Sequence, residues 1–221
     1  MRTFLHAREQ NKVRMDSKLK YGYRDVSIVP EVTSTIESGV ECDYLDAMGM
    51  LPIFTSPTSS VVGFENAFTY YHNRIYPIIP KTCGLEQREY ELVSQSHAHF
   101  SFLRLDFDFI PFIAFSLSEA IKIFMDMDCS YEQLYEDLLS DSSRVRICID
   151  GEYGNSKTLL DTIKVIKSKW GSKVIVMGGV IGNPLTYYEY EAAGCDYVRC
   201  GNTDAGVHYP NFSLIKEVYE I

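Results

Sequence analysis

Residues 144–154 read Arg144-Val-Arg-Ile-Cys-Ile-Asp150-Gly-Glu-Tyr-Gly154, and the same theme returns at Val174-Ile-Val-Met-Gly-Gly179 and at Asp196-Tyr-Val-Arg-Cys-Gly201. Each is a short apolar run closed by a polar or glycine-rich turn, and a stretch of helical length separates one from the next. Strands alternating with helices make βαβ units, whose crossovers force the strands to lie parallel. The C-terminal ends of such strands are where α/β proteins place their sites. The chemistry is therefore expected at Asp150, at Gly178 and Gly179, and just beyond Gly201.

The intervals support this reading. Asn155 or Ser156 caps a helix that turns Leu159, Leu160, Ile163 and Ile166 inward and Lys157, Lys164 and Lys167 outward. Asn183 followed by Pro184 reads as an N-cap with proline at the first helical position, and Gly194 stands where a C′ glycine belongs. Pro210 opens a last helix with Leu214, Ile215 and Val218 on one face.

Upstream, residues 1–20 are polar and basic and read as an N-terminal arm before a single domain, 21–221. Tyr21–Pro30 reads as extended, and Glu31–Gly39 as turn-rich. Leu51–Thr55, Tyr76–Pro80 and Ile110–Phe115 read as strands. Phe64–Asn73, Leu85–Val93, the segment from Ser116 or Ser118 to Phe124, and Tyr131–Leu139 read as helical. That makes about six βα units in series, with no hairpin signal and no long crossover to mark a switch point. The fold class is α/β, and the expectation is a TIM (β/α)8-type barrel truncated to those units.

Composition narrows the partners. A chain of 221 residues, 46% hydrophobic, can bury one sizeable core, and its net charge of −9 disfavours a nucleic-acid backbone. No run approaches the ~20 apolar residues of a membrane span, and the N-terminus lacks the apolar core of a secretory signal. The six cysteines include no CxxC pair, which suits reduced thiols and a cytoplasmic location.

Each candidate residue has a bland alternative. Asp150 is placed to bind a ligand or to cap a turn. Gly178 and Gly179 would admit a close backbone approach to a phosphate or sugar, or form a tight strand-to-helix turn. Lys81 follows a strand and would meet an anion or stay solvated. Cys200 is a nucleophile or a structural thiol. His97-Ala-His99 and Asp106-Phe-Asp108 offer metal ligands, though exposed alternation explains them as well, and no metal site is assigned. Tyr187, Tyr188 and Tyr190 read as helix packing and surface. The Gly154–Thr158 segment lacks the glycine and the Gly-Lys pair of a Walker loop.

Several of these pieces together resemble the IMP dehydrogenase/GMP reductase family. They are Tyr23-Arg-Asp-Val-Ser-Ile-Val-Pro30, Leu51-Pro-Ile-Phe-Thr-Ser-Pro57, Tyr76-Pro-Ile-Ile-Pro-Lys-Thr82, Ile147–Ser156, Val176–Val180, Ala193–Gly201 and Gly206-Val-His-Tyr-Pro210. The resemblance implies a TIM barrel that binds a purine nucleoside monophosphate, IMP or GMP, with NAD or NADP stacked on the base. In the family a loop cysteine attacks C2 of the purine, and hydride passes to or from the nicotinamide. By motif match, Asp150 and Lys81 fall to the cofactor side of the site. Ser56, Gly178, Gly179 and Gly201 fall to the substrate, and the loop from Gly201 also carries a monovalent cation such as potassium. The resemblance further implies a homo-oligomer, commonly a tetramer. The paired regulatory module after strand two is absent, as in the smaller GMP-reductase-like form.

The departures fall where the chemistry is. In place of the family's Gly-x-Gly-x-Gly-Ser-x-Cys-Thr-Thr loop, the chain passes from Gly201 to Asn202-Thr203-Asp204-Ala205, without the nucleophilic cysteine. Gly179 replaces an asparagine, Thr58 and Ser59 replace a methionine and an aspartate, and the last two strands are not in the sequence. Two readings follow. One is a nucleotide oxidoreductase of which this is a part; the other is a catalytically inactive nucleotide-binding or interaction protein on the same barrel. A third, another phosphate-binding barrel enzyme, would show no purine selectivity.

Overall fold

Five strands form one parallel sheet in strict chain order: β1 (Ile78–Ile79), β2 (Phe112–Phe115), β3 (Val145–Ile149), β4 (Val174–Ile181) and β5 (Tyr197–Cys200). The computed structural model describes residues 20, 22–26, 44–46, 49–96, 111–139, 144–151, 153–201 and 210–220. Within them seven helices accompany the strands: α1 (Ala67–His72), α2 (Leu85–Ser96), α3 (Leu117–Phe124), α4 (Gln133–Leu139), α5 (Lys157–Trp170), α6 (Thr186–Ala192) and α7 (Asn211–Tyr219). The strand order never reverses, so this sheet has no switch point of the doubly wound kind.

The expected strand at Leu51–Thr55 is reduced to one parallel bridge, Phe54 to Tyr76, and the expected Tyr76–Pro80 strand pairs as a strand only at Ile78–Ile79. Pro52, Pro77 and Pro80 explain the shortness, because proline has no N–H to give a ladder. The sheet is an open arc, not a closed barrel, but it is strongly curled. With strands ~4.8 Å apart, a flat sheet would put Phe54 and Tyr197 about 24 Å from each other. Their ring centroids are 5.6 Å apart, and both rings also meet Phe112, at 5.9 and 5.4 Å.

Alternation along the strands separates two cores. The convex face carries Ile113, Phe115, Val145, Ile147, Ile149, Val174 and Val176 against the helices, and the concave face carries Ile78, Phe112, Ala114, Cys148 and Met177. Helix α5 forms where its pattern predicts. Leu159, Ile163 and Ile166 are buried, Leu160 only partly, and Thr162 and Trp170 complete the stripe. Lys167 is not outward in solvent as its spacing suggests. Its ammonium reaches the Val174 carbonyl at 3.0 Å and Asp196 at 2.8 Å, and Asp196 accepts from the Val176 N–H.

Other boundaries shift for local reasons. Helix α6 begins at Thr186 rather than at Pro184, because Asn183 Oδ1 accepts the Leu185 N–H in a turn ahead of it. Gly194 does stand at C′ with φ +80°. Ser116, not Ser118, caps α3, in a reciprocal capping box with Glu119. Helix α2 extends past Val93 to Ser96, α1 is shorter than Phe64–Asn73, and Tyr23–Asp25 is a 3-10 turn inside the segment read as extended. At the end of the expected arm, Lys20 pairs with Glu217 of α7; the rest of the arm and Glu31–Gly39 lie outside the described residues.

An unanticipated clamp joins α2 to the sheet. Arg88, 2% exposed, donates to the carbonyls of Cys83 and Ala114 and forks onto Glu119 at 2.7 and 3.0 Å, with its guanidinium 5.0 Å from the Phe115 ring centre. Burial alone would raise the Glu119 carboxyl, but these bonds and the Ser116 N–H hold it below the usual range. Fork-to-fork pairing, with further donors aimed at carbonyls, is the form in which a buried ion pair is tolerated.

One turn further along α2, Glu91 is in the opposite situation. It is 1% exposed, neither carboxylate oxygen has a hydrogen-bond partner, and burial pushes its carboxyl up from 4.5 to about 7. A raised carboxyl pKa means the folded protein holds a proton that the unfolded chain releases. Stability is therefore full below about pH 4.5, falls as pH rises, and levels off above about 7. The whole drop is roughly 3 kcal/mol at most. Glu91→Gln should flatten the decline of the urea midpoint between pH 5 and 7.5. Equal slopes in variant and parent would assign the pH dependence elsewhere.

Candidate functional site

The C-terminal ends of the strands bring Lys81, Asp150 and Arg199 together. Lys81 follows β1, Asp150 follows β3 and Arg199 lies in β5. The Lys81 ammonium is 3.2 Å from Asp150 Oδ2 and donates to the Asp150 carbonyl at 3.1 Å. Arg199 donates to Asp150 Oδ1 at 2.5 Å and to the Gly179 carbonyl at 3.2 Å. The side chains of Asp150 and Arg199 are 20% and 17% exposed and that of Lys81 is 35%, so the cluster is recessed but reachable. Its net charge is +1, and the Arg199 Nε is buried with no hydrogen-bond partner. Such a cluster suits an anionic ligand with hydroxyls for the carboxylate to accept.

Register explains how Arg199 crosses to Asp150. Ala114, Cys148, Met177 and Tyr197 pair strand to strand in one concave row. Two residues on, Asp150, Gly179 and Arg199 occupy the next row, with Gly179 paired to Arg199. The glycine between them leaves β4 bare at the point where the guanidinium passes. A Cβ at Gly179 would stand 2.6 Å from the Arg199 carbonyl oxygen, and its φ of +119° is a conformation only glycine holds easily.

Gly178 and Gly179 are thus neither a strand-to-helix turn nor the end of a strand; β4 runs through them to Ile181. Gly178 faces the helices, where an added Cβ would meet the Tyr190 ring at 2.4 Å. Tyr190 is fully buried, and its hydroxyl donates to the Gly154 carbonyl at 2.7 Å. The close approaches that these glycines permit are made by the protein itself.

The remaining candidates are spread around the same edge. Ser56 is exposed just past the Phe54 bridge, and its carbonyl accepts the Thr58 N–H. Gly201 continues the pairing with a bond from its N–H to the Ile181 carbonyl at 3.1 Å. Neither makes a side-chain contact with the cluster. Cys200 alternates away from Arg199, packs against the helix-side core, and has its thiol raised by burial. Cys148 is on the concave side beneath Asp150, but burial pushes its thiol up to about 11. His97, His99, Asp106, Asp108, Asn202–Ala205 and the Gly206–Tyr209 part of the family-like segment lie outside the described residues. Among the described residues no three His, Cys, Asp or Glu side chains are grouped to hold a metal, and no helix is long and apolar enough to cross a membrane.

Arg199 is the site residue that sequence reasoning missed. Its signal was a cation in an apolar strand, two residues from Tyr197 and so on the same face.

Fold and site together define an α/β protein with an in-order parallel sheet and a charged cluster at its C-terminal edge. No family model matches the chain. It is similar to the GMP reductase of Shewanella pealeana, 26% identical over 228 aligned positions that cover 93% of this chain and 59% of the relative. The GMP reductases of Shewanella halifaxensis and an Enterobacter species are 25% and 24% identical over the same shares of both chains. The chain thus spans about three-fifths of the length of the curated relatives it matches, 59%.

Gly179→Ala is a sharp probe of the pairing between β4 and β5. It should lower unfolding stability by about 1–3 kcal/mol through strained φ and displacement of β5. Gly182→Ala, whose Cβ would find its nearest atom 3.7 Å away, should change stability by less than about 0.5 kcal/mol. Urea denaturation of both decides it, and equal effects would refute the crossing.

Proposed function

We propose that the chain binds a purine nucleoside monophosphate, IMP or GMP, at the C-terminal edge of a TIM-type barrel and belongs to an NAD(P)-dependent purine-nucleotide oxidoreductase of the GMP reductase type. The observation that carries the proposal is the meeting of Lys81, Asp150 and Arg199 at one strand edge, in a chain collinear with GMP reductases over 93% of its length. The curl that brings Phe54 to Tyr197 supports the barrel, because consecutive parallel strands that bend this tightly form an arc of one. Residues 21–221 are then its barrel domain and residues 1–20 its arm. A cytoplasmic homo-oligomer, a tetramer by family habit, belongs to the same proposal.

The donor set fits a nucleotide. Asp150 can accept from ribose hydroxyls, while Lys81 and the spare edge of Arg199 face an anionic or carbonyl oxygen. The nicotinamide, NAD or NADP, supplies hydride transfer when bound; this chain's residues supply binding and orientation. Ser56 and the backbone at Gly201 stand on the same edge and complete the substrate side. A potassium-type cation would depend on Gly201 and the segment after it.

A second reading has its own observation. Attack on a purine C2 needs a thiolate. Among the described cysteines the one beneath the cluster, Cys148, is held protonated at neutral pH, and Cys200 faces the helices. This favours a nucleotide-binding protein that lacks the covalent step.

Isothermal titration with IMP, GMP and an unrelated sugar phosphate tests both. Selective purine-nucleotide binding is expected, weakened about tenfold or more by Asp150→Ala and by Arg199→Ala. Absence of binding by the parent chain would refute nucleotide recognition. Binding without turnover of GMP by NADPH would select the second reading.

A further inference from the structure

We infer that Tyr153 is the ring-recognition residue of this site, a flat platform on which the planar base of the bound nucleotide stacks; the inference rests on the nucleotide reading above. Tyr153 is three residues past Asp150, on the loop that leaves β3. It is 58% exposed, and its side chain makes no hydrogen bond, ion pair or ring contact with a described residue. Among the exposed aromatics of the described residues it is the one on the loop that follows Asp150.

The loop beneath it, by contrast, is fixed. Gly154 lies so close to the end of β4 that a Cβ there would be 1.8 Å from the Val180 carbonyl oxygen. The Tyr190 hydroxyl donates to the Gly154 carbonyl at 2.7 Å, and the Ser156 N–H closes the turn onto the Tyr153 carbonyl at 3.1 Å. The chain that follows Tyr153 is thus held in place, while its ring is exposed and can meet a ligand.

Those ties also locate it. Gly154 abuts Val180, and Val180 follows Gly179, whose carbonyl accepts from Arg199. The Tyr153 backbone therefore stands within a residue or two of the Arg199–Asp150 pair, on the same edge. A site with net charge +1 attracts the anionic part of a ligand, and a fixed backbone presenting a bare phenol suits its flat part. The division of labour is specific: the charged cluster takes the sugar phosphate, and Tyr153 takes the base.

The experiment is titration of the full chain and of Tyr153→Ala and Tyr153→Phe with GMP and with ribose 5-phosphate, which keeps the anion and sugar but has no base. The parent should bind GMP more tightly than ribose 5-phosphate. Tyr153→Ala should lose about tenfold in GMP affinity and none for ribose 5-phosphate, and Tyr153→Phe should match the parent. Unchanged GMP binding by Tyr153→Ala overturns the platform, as does an equal loss for both ligands. A parent that binds the two ligands equally overturns the platform and the purine reading but keeps the anion site. A parent that binds neither overturns the platform together with the nucleotide reading.

Discussion

Everything at the strand edge depends on how tightly the sheet bends. Lys81, Asp150 and Arg199 come from strands two apart in each step, about 10 Å across a flat sheet. Their ammonium, carboxylate and guanidinium nevertheless meet within hydrogen-bond distance. What holds the bend is the filling of the concave face, where Phe54, Phe112 and Tyr197 converge and Arg146 lies 5.8 Å from both the Tyr76 and Phe112 ring centres. Apolar burial inside the curve and ion pairing at its rim are one construction. The rings set the radius, and the radius sets which charges can touch.

The convex side is organised by different means. Helices lie on the sheet through aliphatic contacts, and two polar devices fix their positions. Arg88 ties α2 to the end of β2 and to the start of α3 through Ala114 and Glu119. Lys167 ties α5 to the start of β4 and to Asp196 ahead of β5. Both are cations whose donors meet carbonyl or carboxylate acceptors, which is how long charged side chains are accommodated under a helix. Glu91, a few residues from Arg88, shows what happens without such partners: burial pushes its carboxyl up to about 7.

Strands β3 and β5 and helices α5 and α7 were legible because each is bounded by residues whose physics is local. The β3 and β5 limits follow from apolar alternation between polar ends, and α5 from its inward stripe. That Asp150 and Lys81 stand at strand ends was legible from the apolar runs before them; that they meet was not. The glycine pair, read as a close approach to a ligand or as a tight turn, was not resolved because sequence shows that a side chain is missing, not what occupies its space. Here the occupants are Tyr190 on one face and the Arg199 backbone on the other, both set by register. Arg88 and Arg199 were illegible for a related reason. A cation in a helix or strand reads as a solvated face until tertiary structure supplies buried acceptors.

The bare row at Gly179 has one more consequence, for how such a chain can change over time. What an added Cβ at 179 would meet is the backbone at 199, which every residue there shares. A drift to alanine or asparagine at 179 strains the pairing of β4 with β5 whatever side chain stands at 199, whereas a change at 199 removes only the contacts its guanidinium makes with Asp150 and the Gly179 carbonyl. The glycine is therefore the harder of the two to lose, and in descendants of this chain the arginine can go while the glycine stays.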